Sequence, residues 1–421
     1  MLALAALPLF GFVGAAIDYS RAASVRTSLQ SAADATGLML SKDASSLNPA
    51  DLQTKAGNYL KTLFTNGDHN DVSVTTTYDT GAGGSQILLK ASTSVNTRFM
   101  GMFGFSTIGL SVTSDVKWGN VRLRVALVLD NTGSMSSSGK LAALKTATNN
   151  LLGQLQKAAT NDGDVYVSIV PFVKDVNVGS TNYQATWIDW SDWDSVNGTC
   201  SKSSYTTQSS CTSNGKVWTP KSHSTWNGCV TDRGNSGAPS SGAYDTNVAT
   251  PNPGILASQF PAEQYGSCPA AIMPLNYNWS AMTTMVNNMV AAGNTNQAIG
   301  LVHGWQSLVG GGPYPAPPAM DPNFQYQQVI ILLTDGLNTE DRWYTKESSI
   351  DARQQMTCNN VKAAGFTVYT VQVNTGGDPT STLLQNCASD AGKFFLLKSS
   401  DQIVMTFNTI GTALTKLRIA Q

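Results

Sequence analysis

The chain has 421 residues, enough for two or three domains at roughly 150 residues each. Lys and Arg number 26 and Asp and Glu 27, so the net charge of -1 offers no basic face for nucleic acid. Charged residues are only 13% and hydrophobic residues 41%, which leaves a surface of Ser, Thr, Asn, Gln and Gly and excludes a disordered or multispanning membrane chain.

Met1 to Ile17 (MLALAALPLFGFVGAAI) is an uncharged apolar run that stops at Asp18. At ~1.5 Å per residue it spans about 26 Å, slightly less than a ~30 Å hydrocarbon core. No Lys or Arg precedes it and a helical pattern follows it, so residues 1–20 read as a membrane anchor and not as a cleaved secretory signal. The missing basic flank leads us to expect a longer natural anchor. Ile17, Ala22, Val25, Leu29, Ala32 and Ala33 continue the helical period.

Asn48, Pro49 and Asp51 then predict a helix start, Leu52, Ala56, Tyr59, Leu60, Leu63 and Phe64 its apolar face, and Gly67 its end. The period changes to two in DVSVTTTYD, a Gly-rich turn at Gly81 to Gly84, QILLKASTSVNT, and a third run near Thr107 to Val116. This predicts an antiparallel meander packed on helices over 21–119.

From Val121, apolar strands alternate with helical segments: RVALVLD, a helix with Leu141, Leu144, Leu151, Leu152 and Leu155, then VYVSIVPF. The series resumes with a helix at Met282, Met285, Val286, Met289 and Val290, the strand QVIILLTD, a helix near Ser348 to Ala364 closed by Gly365, FTVYTVQV, FFLL, and a final helix. The expectation is an α/β domain over 120–172 and 273–421, a doubly wound and mostly parallel sheet with ligands at the carboxyl ends of its strands.

Residues 173–272 break the alternation and read as an insertion, rich in Ser, Thr, Asn and Gly, with Trp187, Trp190, Trp193, Trp218 and Trp226. Two disulfides and buried tryptophans are expected to replace a conventional core there, the alternative being an exposed stacking platform. Six cysteines allow 15 pairings. Closing nearest partners without crossing favours Cys200 with Cys211, Cys229 with Cys268 and Cys358 with Cys387, in an oxidising space outside the cytoplasm. No Cys-x-x-Cys pair occurs and there are three histidines, which excludes a zinc site.

The chemistry is expected where strands end. Asp130-Asn131-Thr132-Gly133-Ser134 follows the RVALVLD strand, Gly293-Asn294-Thr295-Asn296 precedes a helix, and Thr334-Asp335-Gly336 ends another strand. Asp130, Thr132, Ser134, Thr295 and Asp335 thus offer five hard oxygens, the donor type of Mg²⁺, with Ca²⁺ or Mn²⁺ served by the same set. Because three of the five are neutral hydroxyls, such a metal stays electrophilic enough to recruit an acidic side chain from a partner.

These residues resemble the metal-ion-dependent adhesion site of the von Willebrand factor A domain, Asp-x-Ser-x-Ser with a distant Thr and Asp, with Thr132 where the first Ser is usual. The resemblance implies Thr132, Ser134 and Thr295 as direct or near-direct ligands and Asp130 and Asp335 as direct or water-mediated ones. Nearly end to end, the chain is similar to the TadG-like pilus-assembly proteins of the bacterial tight-adherence system. The likeness rests on LFGFVGAAIDYSRAASVRTSLQSAADAT, WNGCVTDR (226–233), GNTNQAIGLVHGWQSL (293–308) and VIILLTDGLNT (329–339). It implies an inner-membrane anchor, a periplasmic or surface-exposed body, and a non-enzymatic role with other pilus proteins or acidic surface ligands.

Two other readings stand beside it. Asp130-Asn131-Thr132-Gly133-Ser134 is close to the Asp-Lys-Thr-Gly-Thr loop of aspartyl-phosphate enzymes, with Asp130 as nucleophile, but position 131 lacks Lys and no acid stands two residues on. Alternatively the α/β domain is a passive spacer whose insertion makes the contacts. A Ser134, His303 and Asp335 triad lacks the Gly-x-Ser-x-Gly elbow, and no Walker spacing follows Gly133.

Overall fold

The structure is a computed structural model that describes residues 2–81, 84–118, 121–159, 161–235, 244–322 and 324–419. The chain divides into two units, Met1–Val121 with Asp321–Gln325 and Leu417–Gln421, and Arg122–Met320 with Tyr326–Lys416.

In the first unit the helical period carries one long helix, α1 (Leu2–Leu40). Among the described residues no helix is long and apolar enough to cross a membrane. Most of the predicted anchor, residues 1–11, lies outside the residues whose side chains are described. Helix α2 (Pro49–Leu63) starts where Asn48 Oδ1 accepts from the Asp51 amide at 2.9 Å, the cap its sequence predicts. It ends at Leu63, earlier than the Gly67 expectation, because Phe64 turns extended and buries its ring, taking the chain out of the helix.

Strands β1 (Ser73–Gly81), β2 (Gly84–Asn96) and β3 (Thr107–Trp118) form the antiparallel meander in that order. Residues 82 and 83 of the predicted Gly-rich turn lie outside the described residues. Alternate residues Ile87, Leu89 and Ala91 of β2 pack with Val25, Leu29 and Ala33 of α1 and Leu52, Ala56 and Leu60 of α2 in one core.

The second unit opens within β4 (Val121–Asp130), followed by α3 (Lys140–Ala158) and β5 (Val165–Phe172). The insertion follows, with β6 (Val176–Asn177), β7 (Ile188–Asp189), α4 (Ser191–Val196), β8 (Gly198–Cys200), α5 (Gln208–Ser213), β9 (Trp218–Pro220), β10 (Cys229–Val230) and β11 (Phe260–Glu263). The alternation resumes as β12 (Met273–Asn276), α6 (Trp279–Asn288), α7 (Gln297–Val309), β13 (Gln325–Thr334) and α8 (Glu347–Ala363). It closes with β14 (Thr367–Val373), α9 (Thr382–Cys387), β15 (Phe394–Leu397) and α10 (Asp401–Ile419).

The main sheet runs β15-β14-β13-β4-β5-β6-β10-β11-β7, with β12 also paired to β5. Pairs β4 with β5, β13 with β14 and β14 with β15 are parallel, while β5 with β6 and with β12 are antiparallel. Continuous burial of Val125 to Asp130 and Val329 to Thr334 shows strands covered on both faces. Ala126, Val128, Ile330 and Leu332 meet α7, α8 and α9 on one face. On the other, Gln154 of α3 donates to Asn408 of α10 at 2.7 Å. Helix α7 lies close against the sheet, for a Cβ added at Gly304 would come within 2.3 Å of Val128 Cγ2.

The insertion departs from the aperiodic expectation by extending the sheet through β6, β10, β11 and β7. Strands of two to four residues are too short to display a period, which is why the sequence hides them. Trp193 and Trp226 are fully buried with Val230 and Phe260, while Trp187 and Trp190 pack partly buried on the same cluster, so the aromatics serve as core. Disulfides join Cys200 to Cys211, Cys229 to Cys268 and Cys358 to Cys387. Helix α6 also stops short of prediction: Met289 caps it and Val290 is exposed.

Candidate metal centre

Strands β4 and β13 are neighbours and deliver Asp130 and Thr334 at their ends. After Asp130 the chain folds back on its own carboxylate, the Thr132 amide donating to Asp130 Oδ1 at 2.7 Å. The Thr334 hydroxyl donates to Asp130 Oδ2 at 2.7 Å and the Asp335 amide to the same oxygen at 3.4 Å. Asp130 is fully buried and both its oxygens are engaged, so it fixes two loops relative to each other. Burial, reinforced by the nearby Asp335 charge, pushes its carboxyl up to about 6.

The hydroxyls continue the network. Thr132 Oγ1 and Ser134 Oγ lie 2.9 Å apart, and Ser134 Oγ donates to Asp335 Oδ1 at 2.6 Å. Ser134 is exposed, so the cluster has an open side. The other oxygen of Asp335 faces the ammonium of Lys140, the first residue of α3. The Lys140 side chain is 7% exposed and that of Asp335 0%, which makes this a buried ion pair.

The third loop is tied to the first by the Gly133 amide, which donates to Gly293 O at 2.9 Å. Thr295 is buried; its amide donates to Thr339 Oγ1 at 2.8 Å and its carbonyl accepts from the Thr339 amide at 2.9 Å. The structure therefore links Asp130, Thr132, Ser134 and Asp335 through side-chain hydrogen bonds. Among the described residues no hydrogen bond connects the Thr295 hydroxyl to either carboxylate. The Asp335 loop is braced from α7, Gln297 Nε2 donating to Gly336 O at 2.9 Å and the Gln297 amide to Asn338 Oδ1 at 2.8 Å.

The donor chemistry fits a small hard divalent cation, with carboxylate and hydroxyl oxygens and no nitrogen or sulfur. Only two acids take part, and among the described residues no three His, Cys, Asp or Glu side chains cluster as a metal site. The residue that sequence reasoning missed is Lys140. A lysine in the first turn of a helix opposes the helix dipole, which favours anions there, and that misplacement was the available signal.

A second buried acid stands behind the third loop. Asp232, within the WNGCVTDR segment, accepts from Asn296 Nδ2 at 2.9 Å and from the Arg342 amide at 3.2 Å. Burial, then the charges of Asp341 and Asp245, push it up to about 7. The same segment places Trp226, whose indole donates to Cys229 O at 2.8 Å, and Arg233, which donates to the carbonyls of Asn247, Ala249 and Ser258. These contacts tie the insertion to itself and to the α/β body.

His303 sits on α7 with Nδ1 3.2 Å from the Tyr314 hydroxyl and its ring against Phe260. Those contacts give it no part in a triad with Ser134.

Residues 1–39 match the model of a family described as putative Flp pilus-assembly TadE/G-like. No curated protein matches the sequence. Among solved structures, the von Willebrand factor domain of the type V pili tip protein Mfa5 from Porphyromonas gingivalis is similar at 8% identity and TM-score 0.40, over 72% of this chain and 97% of that one. The pilus adhesin SpaC from Lactobacillus rhamnosus GG matches at 14% identity and TM-score 0.39, over 84% of this chain and 35% of that one. Proximal thread matrix protein 1 from the mussel byssus, with a zinc-occupied MIDAS motif, matches at 11% identity and TM-score 0.36, over 71% and 47%. The chain thus spans about a third of SpaC and under half of the byssus protein. With TM-scores below 0.5, none of these likenesses establishes the fold.

Proposed function

We propose that this chain is an extracytoplasmic pilus-assembly or adhesion protein of the TadG-like kind, anchored by its N-terminal apolar run. Its von Willebrand factor A-like unit binds an acidic side chain of a partner through a divalent cation held by Asp130, Thr132, Ser134, Thr295 and Asp335. The observation that carries the reading is the hydrogen-bonded chain from Thr132 through the exposed Ser134 to Asp335, secured beneath by Asp130, where two adjacent strands end. The family match over residues 1–39 supports the pilus setting, and three disulfides support an oxidising compartment. Magnesium is the expected ion.

Both oxygens of Asp130 are occupied and the residue is fully buried, which speaks against a nucleophile that must reach a phosphate. A second reading has its own observation. Lys140 already neutralises Asp335, as it would in a body that needs no metal and makes its contacts through the insertion.

Asp130→Ala separates the two. Under the metal reading the variant loses cation binding by calorimetry and loses partner capture from cross-linked cells. Unchanged capture and pilus output would remove the metal from the mechanism.

A further inference from the structure

Between β2 and β3 the chain reads Arg98-Phe-Met-Gly-Met-Phe-Gly-Phe105, with a single 3₁₀ turn over Met100–Phe103 and Gly104 in the left-handed region at φ 92°. Three of its apolar side chains face outward: Met102 is 77% exposed, Phe103 60% and Phe105 62%. The only charge in the segment is Arg98. An exposed apolar cluster on a short loop marks a contact surface.

The loop is held rigidly and at a defined height. Asp18 of α1, itself 1% exposed, accepts from the amides of Arg98, Phe99 and Met100 at 2.8, 2.8 and 2.9 Å. Phe99 lies across Gly14, where an added Cβ would come within 2.5 Å of Phe99 Cβ. The loop base is closed by the Thr97 amide donating to Ser106 O at 3.0 Å. These ties place the loop beside residues 14–18 of α1, within about 6 Å of the point where the uncharged run gives way to Asp18.

That point is where a bilayer surface falls if the run is buried in lipid. Two rings of α1 near that point are also bare, Phe12 at 78% exposed and Tyr19 at 72%. Exposed apolar side chains on both helix and loop at this level suit the interfacial layer of a bilayer.

We propose that residues 98–105 form a second membrane contact, setting Met102, Phe103 and Phe105 into the interface of the bilayer that takes the N-terminal run. This rests on the anchor reading given above. A helix alone leaves the body free to tilt and spin; a second contact a few ångströms off the helix axis fixes which face of the first unit meets the lipid.

The test uses the full chain. Among the described residues every cysteine is disulfide-bonded, so Met102→Cys supplies a single thiol for an environment-sensitive NBD label. Thr54→Cys on α2, one residue from Lys55, which pairs with Asp43 beyond the far end of α1, is the control. Both proteins are reconstituted into phosphatidylethanolamine and phosphatidylglycerol vesicles and floated. The expected result is flotation of both, with the label at 102 blue-shifted and quenched by shallow doxyl lipid and the label at 54 unaffected. Flotation with a label at 102 as water-exposed as at 54 overturns the loop contact and leaves the anchor standing. Failure to float overturns both. A blue shift at 102 that grows with protein concentration and needs no vesicles assigns the patch to a second copy of the chain and also overturns the proposal.

Discussion

Lys140→Met isolates the question of whether Asp335 is built to receive a cation. In the structure the Lys140 ammonium is the positive partner of a carboxylate whose side chain is 0% exposed. Removing one member of a buried pair strands the other charge and costs about 3–5 kcal/mol. The stranded oxygen here is Oδ2, because Oδ1 keeps its hydrogen bond from Ser134. In a unit of this size about 3 kcal/mol lowers Tm by roughly 5 °C.

A divalent ion binding the vacated carboxylate reverses that loss, restoring about 2.7 kcal/mol when supplied at 100 times its Kd. The variant also binds the ion at least about tenfold more tightly than wild type, since releasing a competing ammonium is worth upwards of ~1.4 kcal/mol. The assay is thermal unfolding of wild type, Lys140→Met and Lys140→Arg in EDTA and in graded Mg²⁺ or Mn²⁺. Lys140→Arg keeps the charge and shows no gain in affinity. A Lys140→Met protein equally unstable in EDTA and in saturating metal refutes the idea that a cation shares the Asp335 site.

Further outcomes follow from particular contacts. Gly304→Ala drives a methyl into Val128 and destabilises the second unit by about 1–3 kcal/mol in urea unfolding. The double variant Cys358→Ser and Cys387→Ser opens a loop with a sequence separation of 29 and costs about 3–4 kcal/mol, read as a lower urea midpoint. Asp232, raised to about 7 by burial, favours the folded state when protonated, and that contribution is lost as pH rises from about 4 through 7. Asp232→Asn therefore gains on wild type by about 1.4 kcal/mol per pH unit across that window, measured by unfolding at pH 5 and 7. His303 carries the opposite sign: burial, then Arg233, lower it to about 3, so its contribution is present above 6.5 and lost as pH falls. The stability deficit of His303→Gln accordingly shrinks between pH 7 and 5.

What could be read from the sequence tracks how far each signal extends along the chain. The α/β alternation was legible because β4, β5, β13 and β14 are seven to ten residues long and buried on both faces. The Asn48 cap and the Gly365 stop, at φ 86°, were legible as local chemistry. The insertion strands were not, since Val176–Asn177 and Cys229–Val230 owe their pairing to partners distant in sequence. In the candidate centre the loops bearing Asp130, Ser134 and Asp335 could be placed from their strand ends. The Lys140 pair could not, because it depends on how the first turn of α3 is aimed across 195 positions of sequence. Thr334 was visible only as a neighbour of Asp335, and its hold on Asp130 is a product of the sheet order.

The three disulfides join the first cysteine to the second, the third to the fourth and the fifth to the sixth. If the chain is threaded outward from its N-terminus, each thiol meets its native mate as the next to emerge, before any wrong mate is present. A simple thiol oxidase then suffices, and no enzyme that shuffles mispaired bonds is required for the body to mature. Strains lacking the shuffling enzyme should make this protein normally, while those lacking the oxidase should not.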